Sequence, residues 1–169
     1  MPRNRPPDLS HPIYRALAAA IERLTDVQTP ERSHVFMESL GEPTRYVQFG
    51  YDNGVLRFEA VSNRYLPDGF RLDERQQGLL RELGWRPPGE GHPNWHRREL
   101  VDRAFDFEAI TRVVQRTLSE VYGVPPEGLG LRCTWGAEET PSEDGGYYGF
   151  EKRTFSWAGV GTGQPKWRN

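Results

Sequence analysis

Two histidines, His92 and His96, have a spacing that could suit a metal ion. Side chains four residues apart share a face only on a helix, where such pairs bind zinc. Pro93 lies between them, and the residues that follow alternate like a strand, so a helix is unfavourable here. His11 and His34 are isolated in the sequence. We therefore predict no metal site and no cofactor.

The other candidates for catalysis are separated from the groups that would activate them. Cys133, the single cysteine, has no histidine beside it in the sequence to generate a thiolate. The glycine-rich stretch 159–164 follows no parallel-strand pattern and precedes no helix, as a phosphate-binding loop requires. The acidic stretch 138–144 lies among Pro, Ser and Gly, which is typical of a solvated loop. The sequence therefore predicts that the protein is not an enzyme.

A basic aromatic cluster of the kind that binds single-stranded nucleic acid is formed by Trp95, His96, Arg97 and Arg98. The whole chain is slightly acidic, however, with 22 Lys and Arg residues against 24 Asp and Glu residues. Since no excess of positive charge attracts it to nucleic acid or to an anionic membrane, we expect it to bind neither.

Length and composition indicate one modest folded domain. The chain has 169 residues, and domains commonly have about 100 to 200. Its mean hydropathy of -0.77 is low, yet 12% of the residues are aromatic, which supports a folded core. No apolar run reaches the roughly 18 residues of a membrane-spanning helix, and no apolar stretch of signal-peptide type is visible. We expect a soluble, cytoplasmic protein.

Apolar residues at helical spacing predict three amphipathic helices. The first spans residues 11–25. The second is short, begins after the capping residue Asp73 and ends at Gly84. The third begins at Asp106 and ends before Gly123.

Between the helices, polar and apolar residues alternate with period two, which predicts strands over 33–39, 45–52, 55–62 and 94–100. A short partner strand for the last of these is expected near Trp85. Trp85 and Trp95 flank a proline-rich loop, and either pack the second helix onto the sheet or form the edge of a groove.

The dipeptide Asn53-Gly54 predicts a two-residue hairpin turn, since both positions tolerate positive φ. Pairing outward from this turn creates an apolar face from the pairs Tyr51 with Leu56, Phe49 with Phe58 and Val47 with Ala60. The opposite face contains the pairs Gln48 with Glu59 and Gly50 with Arg57. A one-residue slip would mix the two sets, so the register is well specified. We expect the apolar face to pack on a core and the opposite face to stay open.

The chain divides into three parts. Residues 1–9 form a flexible leader, residues 10–126 form the domain, and residues 127–169 form a glycine-rich, largely flexible tail. Within the tail, segments 129–135 and 147–157 carry aromatic residues, so we expect that either of them can fold back on the domain or bind a partner.

The predicted order α-β-β-β-α-β(-β)-α is that of an α+β sandwich, with helices on one face of an antiparallel sheet. The second and third strands and the turn after them have the sequence RYVQFGYDNGVLRFEAVSNRYLP. The second helix ends in LRELGW and is followed by RPPGEGHPNWHRREL, and the last helix ends in VYGV. With these segments the chain resembles the TY-Chap group of actinobacterial domains, which is related to type III secretion chaperones and to YbjN-like proteins. The resemblance covers roughly residues 10–126, and its most specific parts are EAVSNRYLP and the LGW, PP and NW sequence.

The resemblance implies a type III secretion chaperone-like fold and a cytoplasmic, non-enzymatic domain that binds peptides or partly unfolded client proteins. It also implies that the domain often acts as a homodimer and without a cofactor. An extended client segment would lie on the open face of the sheet or along a sheet edge. Strand parity supplies the candidate client contacts Tyr46, Gln48, Arg57, Glu59 and Val61, with Trp95 beside them.

Three other functions stay open from the sequence alone. An adaptor or immunity-type protein would bind one folded partner in a single stable complex. A nucleic-acid binder would use Trp95, Arg97 and Arg98, and its affinity would depend steeply on salt. An enzyme would need a pocket built from residues such as His96 with Glu99 or Asp102, which show no grouping in the sequence.

Overall fold

Three helices and six strands form the described part of the chain. The computed structural model describes residues 9–27, 32–41 and 44–136, and the backbone of 153–158. In chain order the elements are α1 (Pro12–Asp26), β1 (His34–Ser39), β2 (Tyr46–Asp52), β3 (Val55–Ala60), α2 (Glu74–Glu82), β4 (Trp95–Leu100), α3 (Phe107–Arg116), β5 (Leu129–Trp135) and β6 (Arg153–Ala158). A π-helical turn, Thr117–Val121, continues α3.

The strands form one sheet in the order β4-β3-β2-β1-β5-β6, and every neighbouring pair is antiparallel. The predicted α+β class with an antiparallel sheet is therefore confirmed. The two C-terminal strands extend the predicted order. β5 pairs with β1 from Ser39 opposite Leu129 to His34 opposite Thr134 and pairs with β6 on its other side, so it lies inside the sheet.

The predicted domain boundary at residue 126 thus falls before the sheet is complete. Segment 129–135 is a strand, and strand β6 overlaps the C-terminal end of the predicted segment 147–157. Of the predicted leader, residues 1–8 lie outside the described residues, as do 137–152 and 159–169 of the tail.

The hairpin between β2 and β3 has the predicted register. Asn53 and Gly54 have φ values of 50° and 78°, as the two-residue turn requires. The cross-strand pairs Tyr51 with Leu56, Phe49 with Phe58 and Val47 with Ala60 are all present.

The hydrophobic core lies between the helices and one face of the sheet. From α1, Ile13, Leu17 and Ile21 are fully buried. Across from them, Phe49 stacks on Phe58 with a centroid distance of 5.5 Å. The core is completed by further buried residues of the sheet and of α3, among them Val35, Met37, Val114, Leu118 and Leu131.

Both tryptophans that flank the proline-rich loop pack in this core, with Trp85 3% exposed and Trp95 2% exposed. The Trp85 ring meets Phe58 edge-on at 5.2 Å, and its Nε1 donates a hydrogen bond of 2.9 Å to Thr117 Oγ1. The partner expected near Trp85 is a single bridge between Arg86 and His96. Packing is therefore the main role of these rings, although Trp95 also borders a depression together with Asn63, Gln77 and Pro88.

Helix α2 begins and ends as its sequence predicts. Asp73 and Gln76 form a reciprocal capping box at its start. Gly84 follows its C-terminus with φ 85°, and Arg97 Nη1 donates a hydrogen bond of 2.6 Å to the Leu83 carbonyl. A Cβ at Gly84 would lie 3.0 Å from that same Nη1. Glycine is thus required here by the backbone conformation and by the close approach of Arg97.

Candidate functional site

The sheet face opposite the helices carries the side chains that alternate with the buried ones, and we call this surface the open face. Burial alternates along β1, β2 and β3, as the sequence pattern predicts. The open face consists of His34, Phe36 and Glu38 on β1, Tyr46, Gln48, Gly50 and Asp52 on β2, Val55, Arg57 and Glu59 on β3, His96, Arg98 and Leu100 on β4, and Gly130, Arg132 and Thr134 on β5.

A depression of about 320 Å³ lies near the middle of the open face. Gly50 leaves the space open, because a Cβ built at this position would meet no atom within 4 Å. Besides Gly50 and its neighbour Phe49, the lining residues are the aromatic Phe36 and the polar or charged His34, Gln48, Arg57 and Glu59. An apolar side chain of another molecule could therefore fill the gap while polar groups at the rim hold its neighbours.

Glu59 is held in place by two neutral amides. Gln48 Nε2 donates a hydrogen bond of 3.0 Å to Glu59 Oε2, and Asn94 Nδ2 donates one of 3.2 Å to the same oxygen. Asn94 Nδ2 also donates to the Tyr46 hydroxyl at 3.2 Å. These bonds fix the carboxylate on the rim of the depression, and they connect β2, β3 and the loop before β4.

Phe36 is the aromatic wall of the depression. Its ring lies 6.4 Å from that of Tyr46, and the Arg132 guanidinium lies over it at 4.3 Å. Arg132 Nε also donates a hydrogen bond of 3.1 Å to Glu38 Oε1. The Phe36 ring is thus held between Tyr46 and Arg132. Burial raises the pKa of the Tyr46 hydroxyl, so this hydroxyl stays protonated at neutral pH.

Two arginines lie directly opposite each other at the β4 side of the open face, Arg57 on β3 and Arg98 on β4. Arg57 forms a long ion pair of 3.4 Å with Asp52, and both side chains are about half exposed. An exposed pair of this kind contributes little to stability. Like charges in directly opposite positions oppose sheet formation, so this pair is not explained by stability.

Four of the six predicted client contacts lie on the open face: Tyr46, Gln48, Arg57 and Glu59. The other two, Val61 and Trp95, do not, and their predicted position is wrong. Val61 is 1% exposed because β3 ends at Ala60, so strand parity no longer applies to it. Trp95 lies opposite Ala60, whose side chain is buried, and directly opposite residues of an antiparallel pair share a face.

The sequence reasoning missed Phe36, His34 and Arg132. A signal for the first two was present, since the inward-facing Val35 and Met37 place their neighbours on the outer face. Arg132 lies on β5, within the glycine-rich segment where no sustained alternation is visible.

The basic aromatic cluster does not form one surface. Trp95 is buried, and Arg97 turns to the helix side, where it bonds to the end of α2. Its guanidinium lies 5.3 Å from the Phe58 ring centroid. Of the two arginines, only Arg98 reaches the open face, so the residues of this alternative nucleic-acid site do not lie together.

The structure also shows where the histidines and the cysteine considered for metal binding and catalysis lie. His92 and His96 stack at 4.1 Å, and burial lowers the pKa of His96. In residues 9–27, 32–41 and 44–136, no group of three or more His, Cys, Asp or Glu residues is placed to hold a metal ion. Cys133 is 2% exposed, and burial raises its pKa to about 12. Its thiol is therefore protonated at neutral pH, which disfavours a nucleophile.

None of the helices in the described part of the chain combines the length and the apolar composition that crossing a membrane requires.

The comparisons with known proteins identify a family. A family model described as T3SS (YopN, CesT) and YbjN peptide-binding chaperone 3, or TY-Chap3, matches residues 14–130. The comparisons with curated proteins and with solved structures give no match. The matched region begins in α1, ends in β5 and includes all the open-face residues of β1 to β4. Because it covers well over half of the sequence, the chain belongs to the TY-Chap3 family of peptide-binding chaperone domains.

Proposed function

We propose that this domain binds an extended segment of a client peptide or protein on its open face, with the depression over Gly50 as the centre of the site. The family description supports peptide binding. The observation that carries the location is the gap at Gly50, which is bordered by the Phe36 ring and by fixed polar groups. An apolar client side chain of the size of Leu would gain about 1.5 to 3 kcal/mol by leaving water here.

The face is a better binding surface than the nearer sheet edge. On the outer edge of β4, His96 already exchanges two backbone hydrogen bonds with Arg86, of 2.9 and 3.1 Å. A client strand added to this edge would therefore have only the C-terminal half of β4 as its partner. On the open face, by contrast, a Cβ built at Gly50 meets no atom of the described residues within 4 Å, so the depression offers space for a client side chain.

The role proposed is binding without a chemical step, so neither a metal nor a cofactor is needed. The side chains at the depression suit a role in binding. Glu59 is held by amides, which are poor acids and bases, and its neighbour Gln48 is uncharged. Side-chain contacts of this kind tolerate many client sequences, because an apolar anchor of suitable size is the main requirement.

The resemblance also supports a setting, which we propose with the function. The domain acts in the cytoplasm and as a homodimer, on client proteins rather than on nucleic acid or membranes. A net charge of -2 supports the last point, because it provides no general attraction to polyanions.

The proposal is tested by filling the depression. Gly50 lies within a strand, its φ is not in the left-handed region, and a Cβ there has room. The substitution Gly50→Val should therefore keep or raise the melting temperature, since a β-branched residue suits a strand better than glycine. Its two methyl groups occupy the space of the client anchor, so client affinity should fall by about tenfold or more.

Because the client is unidentified, peptides are first selected from a random display library on the wild-type protein, and their affinities are measured by fluorescence anisotropy. Gly78→Ala is the matched control, since a Cβ at this α2 position also meets no atom within 4 Å. It should leave peptide affinity unchanged. Failure to select any peptide, or unchanged affinity in Gly50→Val, contradicts the proposal. If no peptide is selected and one folded protein co-purifies with the tagged domain in fixed stoichiometry, an adaptor is favoured.

A further inference from the structure

Building on the proposed function, we propose that Glu59 makes the open face selective for client segments that carry a Lys or Arg two residues away from the apolar anchor. The inference comes from the way in which this carboxylate is held, from the pairing of the other charges on the face, and from the distance between Glu59 and Gly50.

One oxygen of Glu59 is left for a ligand. Both amide hydrogen bonds, from Gln48 and Asn94, go to Oε2. Oε1 has no hydrogen-bond partner among the described residues, and it is not one of their buried unsatisfied atoms, so solvent reaches it. A carboxylate that is oriented through one oxygen and open at the other can receive an ammonium or guanidinium group without rearrangement.

The negative charge of Glu59 is uncompensated, unlike that of the other carboxylates on the open face. Glu38 pairs with Arg132, and Asp52 pairs with Arg57. Within the described residues, no Lys, Arg or His nitrogen lies within 4.0 Å of Glu59. His96 lies directly opposite it in the sheet, but burial lowers the pKa of His96, so its ring is neutral at pH 7. A client cation is therefore the missing partner of this carboxylate.

The position of Glu59 relative to the depression sets the spacing. Gly50 lies opposite Arg57, and Glu59 is two residues further along β3, so Gly50 and Glu59 are diagonal neighbours. Diagonal neighbours on one face are about 7 to 8 Å apart. Side chains two residues apart in an extended chain point the same way and are about 6.4 to 6.8 Å apart. When the apolar anchor of a client lies over Gly50, the client residue two positions before or after the anchor therefore lies at Glu59.

The test uses extended host peptides with one Leu anchor in a Ser/Thr-rich background. The guest position, two residues from the anchor on either side, carries Lys, Gln or Glu, and binding is measured by fluorescence anisotropy. The Lys peptide should bind the wild-type protein about tenfold more tightly than the Gln peptide, and the Glu peptide more weakly than both. Moving Lys to the position next to the anchor, where it faces away from the sheet, should remove this advantage.

The variant Glu59→Gln should bind the Lys and Gln peptides equally, so the roughly tenfold ratio between the two affinities should fall to about one. Arg98→Gln is the matched control, because Arg98 is exposed on the same face, and its removal should leave the Lys preference in place. If the wild-type protein binds the Lys, Gln and Glu peptides equally, and the Gly50→Val variant binds none of them, the proposed charge selectivity is wrong and the proposed site stands. If no peptide of the series binds, and none is selected from the library, the proposed function itself is contradicted.

Discussion

The two faces of the sheet differ in how completely their side chains are packed and hydrogen-bonded. On the helix side, Phe49 is 2% exposed and stacks on Phe58 at 5.5 Å. On the opposite side, the next residue of the same strand is Gly50, beside which space is empty. Adjacent residues of one strand thus serve a packed core and an open surface. The difference teaches that stability and binding depend on different residues here, and that substitutions can separate them.

Two buried donors on the helix side and one carboxylate on the open face show a similar contrast. On the helix side the Trp85 indole donates to Thr117 Oγ1 at 2.9 Å, and the Tyr122 hydroxyl donates to the Val61 carbonyl at 2.5 Å. On the open face, Glu59 keeps one oxygen without a hydrogen bond from the described residues. A satisfied polar group adds to stability, whereas an accessible one is available to a ligand.

The largest expected effect compares two phenylalanines on opposite faces. Phe58→Ala removes a ring that is 1% exposed and packed against Phe49 and Trp85, so it should lower the free energy of unfolding by about 3 to 5 kcal/mol. Phe36→Ala, on the open face, should cost about 1 kcal/mol or less in stability and should weaken peptide binding. Urea denaturation and anisotropy measure the two quantities. Equal losses of stability would refute the distinction between the faces.

An intermediate effect is expected at Val61, which lies at the end of the helix-side core. Val61→Ala removes two buried methyl groups, so it should destabilise the protein by about 2 kcal/mol and leave peptide affinity unchanged. Urea denaturation and anisotropy with a selected peptide provide the check. Lost affinity in a fully folded variant would restore Val61 as a client contact.

The smallest expected effects come from two glycines of the helical layer. Gly84→Ala places a side chain at φ 85° and 3.0 Å from Arg97 Nη1, so it should cost about 1 to 2 kcal/mol. Gly78→Ala, inside α2, should instead stabilise the protein by up to about 1 kcal/mol. The two melting temperatures, measured by calorimetry, should shift in opposite directions, and a shift in the same direction would contradict the role given to Gly84.

Features of the fold that depend on neighbouring residues could be predicted from the sequence. The Asn53-Gly54 turn fixes the hairpin register, since its two residues determine which positions face each other across β2 and β3. The same holds for the capping box at Asp73 and for Gly84. Each is a local rule of backbone conformation that the rest of the fold does not override.

Features that depend on distant parts of the chain could not be predicted in this way. Strand β5 has only seven residues, contains Gly130, and is specified by its pairing with β1 far away in the sequence. Likewise, the orientation of the Glu59 carboxylate depends on Asn94, which is 35 residues away. The Asn94 amide donates hydrogen bonds both to Glu59 and to the Tyr46 hydroxyl. Strand parity identifies the open face, but only tertiary contacts decide which of its groups are left available.

The location of the client is the central claim, and nuclear magnetic resonance tests it most directly. A ¹⁵N-labelled sample is titrated with a peptide selected on the wild-type protein, and the backbone amide shifts are followed. We predict that the largest changes occur at Gly50 and at its neighbours Arg57 and Glu59, with smaller ones at Phe36 on the adjacent strand. Changes confined to α1 to α3, or to the outer edge of β4, would contradict the assignment of the open face as the binding site.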